Sequence, residues 1–251
     1  MTIVLDHGSV ELMRVDGCDA DIASAARTST GNSGNPDADA RLIDRLLRDA
    51  HWSPFEQVGL QMRVKLPIFV MRQLVRHRVI ALNEYSGRYA EIEDCFYVPA
   101  LDRMQAQSTF NKQGSAGALA FEGATAGRLA IETACADAYE TYQFLLELGL
   151  TRELARIVLP VNFYTVIVAK VSLRGLFQFL ELRLDAHAQY EIRLYAEAML
   201  ELARSSFPVA TASFEDHVLG SSRVSHATLA NLAAGAGVNR AAAQLIEELG
   251  E

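Results

Sequence analysis

Val58-Gly59-Leu60-Gln61-Met62-Arg63-Val64-Lys65-Leu66-Pro67 decides the architecture of this chain. Val58, Leu60, Met62, Val64 and Leu66 alternate with Gly59, Gln61, Arg63 and Lys65, the period of a strand with one buried face. Pro67 follows where a helix N1 residue belongs, and it launches a helix that carries Arg72, Gln73 and Arg76. A strand of period two that runs directly into a helix makes the fold mixed α/β.

Upstream, Val10 to Val15 reads as a first strand, followed from Asp19 by a short Ala-rich helix ending near Ala26-Arg27-Thr28. A Gly/Asn/Pro loop to Pro36 precedes an amphipathic helix over 38–50 with Leu42, Ile43, Leu46 and Leu47 on one face. Downstream, residues 83–88 read as a polar loop, and Cys95 to Pro99 as a short extended piece. Residues 101–117 show no periodicity, so 101–129 is expected to be an insertion or lid, and a long helix, single or broken, covers about 118–148. Thr151 can cap the next helix, which contains Arg152 and Arg156 and stops at Leu159-Pro160. A β-branched and aromatic strand over 162–171 leads to a helix over 172–184 with Leu173, Leu176, Phe177 and Leu180 inward. Asp185 is expected to cap a further helix reaching about Ser205, with a helical tail over 206–251 whose last helix covers Asn239 to Glu248.

Half of the 251 residues are hydrophobic, enough for a substantial core, and we expect one domain over 1–251. A net charge of −8 and a pI near 5.3 argue against a general nucleic-acid or anionic-membrane binder. Cys18, Cys95 and Cys135 lack any CxxC pairing, so neither a disulfide framework nor a metal site is indicated and a cytoplasmic location fits. The N-terminal Met-Thr-Ile-Val-Leu-Asp-His has no basic region, and no window approaches a membrane span.

Against that acidic background, residues 61–90 hold six Lys/Arg and one Asp/Glu, while the rest of the chain holds 17 and 30. Arg72, Gln73 and Arg76 fall on one side of the expected helix, and Arg76-His77-Arg78 marks where it gives way to a loop. Guanidinium groups suit phosphate because their planar donors grip two oxygens and never deprotonate near neutrality. Asn83, Glu84, Ser86 and Arg88, with Gly87 letting the backbone come close, can satisfy a base edge, a sugar and a phosphate. Helix-end arginines often only meet free carbonyls, and Glu84 could be their ionic partner. Neither role calls for this whole set at fixed spacings, so a nucleotide site is the better reading. A second group, Arg152, Arg156, Arg174, Arg183, Gln189, Glu191 and Arg193, lies among apolar helices.

These motifs resemble the flavin-dependent thymidylate synthases, also called ThyX. Arg76-His77-Arg78, seven residues and then Ser86 match the family signature, with Asn83-Glu84 and Arg88-Tyr89 in its longer form. Ser53-Pro54-Phe55-Glu56, Gln73, Ala155-Arg156, Leu159-Pro160, Leu182-Arg183 and Ala188-Gln189-Tyr190-Glu191-Ile192 match as well, over about 24–205. The resemblance implies an α+β fold, an antiparallel-containing sheet packed by long helices, and a homotetramer whose flavin sites draw on several subunits. It implies methylation of dUMP, with methylenetetrahydrofolate giving the carbon, NADPH the hydride and FAD carrying it. Arg183 would be catalytic, stabilising negative charge on the uracil ring. Gln73, Arg76, Glu84, Tyr85, Ser86, Gly87, Arg88, Arg156 and Arg183 would hold dUMP. Ser53, Arg76, His77, Arg78, Val79, Asn83, Glu84, Ser172, Arg174 and Gln178 would hold FAD. Gln57, Ala81, Ser172 and Gln178 depart from the family's common residues at or near flavin positions, which bears on single hydrogen bonds more than on activity. A nucleotide-binding module without chemistry would be colourless, and a flavin enzyme acting on RNA would need a wider basic surface than this chain has.

Overall fold

In a computed structural model, residues 1–29, 31, 34–109 and 114–221 are described. The helix expected over Asn239 to Glu248 lies outside them. The strands are β1 (Thr2–Val4), β2 (Gly8–Asp16), β3 (Gly59–Pro67), β4 (Ala81–Glu84), β5 (Gln105–Gln107), β6 (Ser115–Ala118) and β7 (Tyr164–Ser172). The helices are α1 (Asp19–Ala26), α2 (Pro36–Arg48), α3 (Ile68–Leu74), α4 (Phe121–Glu147), α5 (Arg152–Ala155), α6 (Leu173–Arg183), α7 (Tyr190–Ser206) and α8 (Pro208–Phe214).

Five strands form one sheet in the order β1-β2-β3-β7-β4, antiparallel at every step. The stretch from 58 to 67 is its middle strand, and its alternation is what the sheet uses. Leu60, Met62, Val64 and Leu66 are buried against Ile43, Phe177, Phe179, Tyr195 and Phe214 of the surrounding helices. Each such side chain contributes about 1.5–3 kcal/mol relative to leaving it in water. Phe177 stacks on Phe214 with centroids 4.1 Å apart, which ties α6 to α8. A smaller core of Ile92, Phe96, Cys135, Tyr142, Ala155 and Leu159 joins α4 and α5 to the chain after β4. The mixed, antiparallel fold expected from the resemblance is the fold of the chain.

Register places the site. Gly59 lies opposite Ser172 and Pro67 opposite Tyr164, so the end of β7 and the start of α6 stand beside the beginning of β3. β4 lies along the other side of β7, with Ala81 opposite Lys170 and Glu84 opposite Ile167.

Several local expectations change. Pro67 ends β3 and is extended at the helix N-cap rather than at N1. Ile68 N and Phe69 N still bond to Phe163 O and Val161 O, at 3.0 and 2.9 Å, which holds the helix start in the sheet. The helix is complete by Leu74, so Arg76 stands in the turn beyond it, where its N bonds to Gln73 O at 3.3 Å. The first two residues of the expected polar loop, Asn83 and Glu84, belong to strand β4, because the free edge of β7 pairs with it. The expected first strand is the second, since Thr2–Val4 folds back on Gly8–Val10. Residues 121–147 form a single helix, 101–103 a short 3-10 turn, and β5 pairs antiparallel with β6. Thr151 makes no side-chain capping bond, and α5 gives way to a 3-10 turn at Arg156–Val158. Asp185 caps no helix: its Oδ1 accepts from His187 N at 2.7 Å within a turn, and Gln189 occupies the N-cap of α7.

Candidate active site

The polar loop begins where β4 ends. Thr165 Oγ1 on β7 donates to Glu84 Oε1 at 2.9 Å, fixing that carboxylate. Tyr85 N bonds to Val166 O at 2.8 Å and its hydroxyl to Glu91 O at 2.9 Å, so the backbone is tied on both sides. At Gly87 an added Cβ would meet Ile92 Cδ1 at 2.8 Å and Arg156 Cδ at 3.5 Å. Its absence lets Ile92 and the Arg156 stem close against the loop backbone. Glu84, Tyr85, Gly87, Arg156 and Thr165 line one cleft of about 80 Å³. Ser86 Oγ accepts from Arg88 N at 3.3 Å, and the Arg88 guanidinium pairs with Glu153 at 3.0 Å.

A second group forms where α3 meets the end of α6. Arg183 Nε donates to His77 Nε2 at 3.0 Å and NH2 reaches Gln73 O at 3.5 Å. His77 packs edge-on against Phe179, centroids 5.0 Å apart. Burial, aided by the Arg183 charge, holds the imidazole pKa below its ordinary value. The ring therefore accepts through Nε2 and carries its proton on Nδ1. Partial burial also lowers the Arg183 pKa, and a cation partly shielded from water acts more strongly on charge developing nearby. Gln73 Nε2 donates to Gln189 Oε1.

The third group surrounds the start of α6. Ser172 Oγ accepts from Gly175 N at 3.2 Å, the N-cap bond of α6. Arg174, the second residue of the helix, pairs with Glu56 of the 3-10 turn Ser53–Glu56, which ties that turn to the start of α6. Val79 is 55% exposed, and a Cβ added at Gly175 would touch its Cγ2 at 3.0 Å. Asn83 sits on the edge strand β4 and Gln178 on the outer face of α6, both exposed.

The side chains of Arg72, Arg76, Arg78 and Arg156 make no ion pair or hydrogen bond among the described residues. In a chain of net charge −8, cations left unpaired beside a structured polar loop are free to meet an anion. With an exposed aliphatic face at Val79 and an oriented imidazole, this donor set fits a phosphate-rich cofactor with a flat ring. Thr165, Arg103 and the Gln189–Glu191 pair have no role legible in the sequence, although the last stands within a motif. Thr165 and Arg103 carried no signal, because their partners are remote in the chain.

Fold and site together define an α+β protein with unpaired guanidiniums beside a structured polar loop. The family model described as "Thymidylate synthase complementing protein" matches residues 11–209. A Thermus thermophilus protein named flavin-dependent thymidylate synthase is 48% identical over 217 residues, 86% of this chain and 78% of that protein. A Ruegeria pomeroyi protein of the same name is 45% identical over 227 residues, 88% of this chain and 75% of that one. Among solved structures, the UMP/dUMP methylase PolB from Streptomyces cacaoi bound with 5-Br dUMP superposes with a TM-score of 0.78 at 32% identity, covering 86% of this chain and 98% of that one. This chain belongs to the thymidylate synthase complementing protein family.

Proposed function

We propose that this chain is a flavin-dependent thymidylate synthase that methylates dUMP at uracil C5 to give dTMP. The observation that carries the site assignment is Arg183, half-buried and aimed by His77 beside Gln73. A guanidinium so held stabilises negative charge on the uracil ring without having to reorganise. Cys18 is exposed, Cys95 half-buried and Cys135 buried, and none of them lines the Arg156 or Arg183 clefts. Activation by polarisation, not by a cysteine nucleophile, follows. Ser86 binds rather than attacks, because its Oγ accepts from Arg88 N and no base among the described residues bonds to it.

Gln73, Arg76, Glu84, Tyr85, Ser86, Gly87, Arg88, Arg156 and Arg183 hold dUMP in this reading. Ser53, Arg76, His77, Arg78, Val79, Asn83, Glu84, Ser172, Arg174 and Gln178 hold FAD. When bound, FAD supplies hydride carriage between NADPH and the carbon delivered by methylenetetrahydrofolate. The reading takes 1–251 as one domain and the protein as a cytoplasmic homotetramer. Support for shared sites comes from two clefts: Arg156 lines one and Arg183 another. The first, at about 80 Å³, is well below the roughly 300–1,000 Å³ of small-ligand sites, which supports its completion by another subunit.

The test is to reduce the flavin-loaded protein with NADPH, add dUMP and methylenetetrahydrofolate, and follow flavin reoxidation with dTMP formation. Both together are expected; reoxidation with no dTMP would overturn the proposal. UMP belongs beside dUMP as substrate, since the solved relative is a methylase named for both.

A further inference from the structure

We infer that Glu191 sets the hydrogen-bonding polarity of Gln73 through Gln189, so that Gln73 turns its carbonyl oxygen, an acceptor, toward the nucleotide. The inference rests on the assignment of Gln73 to the dUMP site.

Glu191 lies in the first turn of α7, 7% exposed. Its carboxylate oxygens only accept. Oε2 accepts from Gln189 Nε2 at 2.8 Å, and Oε1 accepts from the Tyr97 hydroxyl at 3.2 Å. Burial and the Glu191 charge push the Tyr97 phenol above its ordinary pKa, which keeps it a donor. With its nitrogen turned to Glu191, the Gln189 amide presents Oε1 on its other side, and Gln73 Nε2 donates to it. Turning Gln73 over would set two carbonyl oxygens face to face. Turning Gln189 over would set an oxygen against the carboxylate. One orientation of the chain of three satisfies every contact, and it directs Gln73 Oε1 away from Gln189. The main chain of Gln73 meanwhile stays within reach of Arg183 NH2.

Arg103 completes the relay. Its NH2 is 3.9 Å from Glu191 Oε1, and its guanidinium lies over the Tyr190 ring, 4.0 Å from the centroid. The excursion that begins at residue 101 thereby delivers the cation that offsets a buried carboxylate.

An acceptor at Gln73 selects a donor on the ligand. dUMP carries two, the N3–H of uracil and the 3′-hydroxyl of the sugar. dCMP lacks the first, presenting a bare N3, and 2′,3′-dideoxyuridylate lacks the second.

The experiment measures the dissociation constants of these three nucleotides for the flavin-loaded wild-type protein, for Glu191→Gln and for Gln189→Met. A glutamine at 191 can donate or accept, so it no longer dictates the amide direction. The preference for dUMP over the analogue that lacks the recognised donor is expected to shrink about fivefold, the worth of one net hydrogen bond, at unchanged flavin content. Shrinkage against dCMP assigns the donor to the ring; shrinkage against the dideoxy analogue assigns it to the sugar. Gln189 is exposed, so Gln189→Met gives the same readout even if Glu191→Gln fails to fold. Preferences that stay constant, or equal weakening of all three nucleotides, overturn the relay. A wild-type protein that binds none of the three overturns the proposed function and the relay with it.

Discussion

At the scale of single residues the site depends on Arg183 and on what holds it. Removing that guanidinium as Arg183→Ala is expected to leave folding and flavin content intact and to slow turnover by about two to three orders of magnitude. Flavin absorbance and single-turnover rates check both halves. The His77 bond adds a pH dependence. Its imidazole is harder to protonate in the fold than in the unfolded chain, where the ordinary value is 6.5, so the unfolded state binds the extra proton first. The stabilising bond is therefore complete above that value and lost as pH falls toward the lower folded pKa, where protonation removes the acceptor and sets two cations together. Turnover should fall on the acid side, and His77→Gln, which keeps an acceptor that does not titrate, should flatten that limb of the pH–rate profile. Arg156→Ala is expected to weaken dUMP binding by about tenfold or more, the loss of a charge-assisted hydrogen bond, with flavin affinity unchanged in a titration.

Elements decide which of these residues can meet. The apolar face of α6, with Leu173, Leu176, Phe177 and Leu180 buried, outweighs its N-cap, since a cap contributes about 1 kcal/mol and a single buried phenylalanine more. Ser172→Ala should thus lower the melting temperature by about 2–4 °C without unfolding α6. Ser172→Asn should change it little, because either side chain can accept from Gly175 N. That is a physical account of one departure from the family's common residue. The inward face of α6 was legible beforehand because period and burial are local properties. The misplacement of the Asp185 cap has an equally plain cause: an Asp can serve a turn as well as a helix, and only the path of the chain chooses. Ala81–Glu84 read as loop because its strand character comes from β7 and not from its own composition.

Across the whole molecule, the Arg156 and Arg183 clefts belong to one chain but not to one cavity. If subunits complete each other's sites, mixing the slow Arg183→Ala and the weakly binding Arg156→Ala proteins at dUMP concentrations too low to saturate the latter, and allowing exchange, should restore part of the activity, as hybrid sites regain both guanidiniums. No recovery after exchange, verified by mass spectrometry of the mixed assembly, would place each site within a single subunit. The chain's own order of residues determined the mixed class, the alternating face of β3, the inward stripe of α6 and the arginine-rich signature, all set by chemistry and period within a few residues. Tertiary structure alone decided the strand order β1-β2-β3-β7-β4 and the pairs His77 with Arg183, Glu84 with Thr165 and Gln73 with Gln189. Those partners lie 81 to 116 residues apart, and no local pattern carries the sheet register and helix packing that bring them within hydrogen-bonding reach.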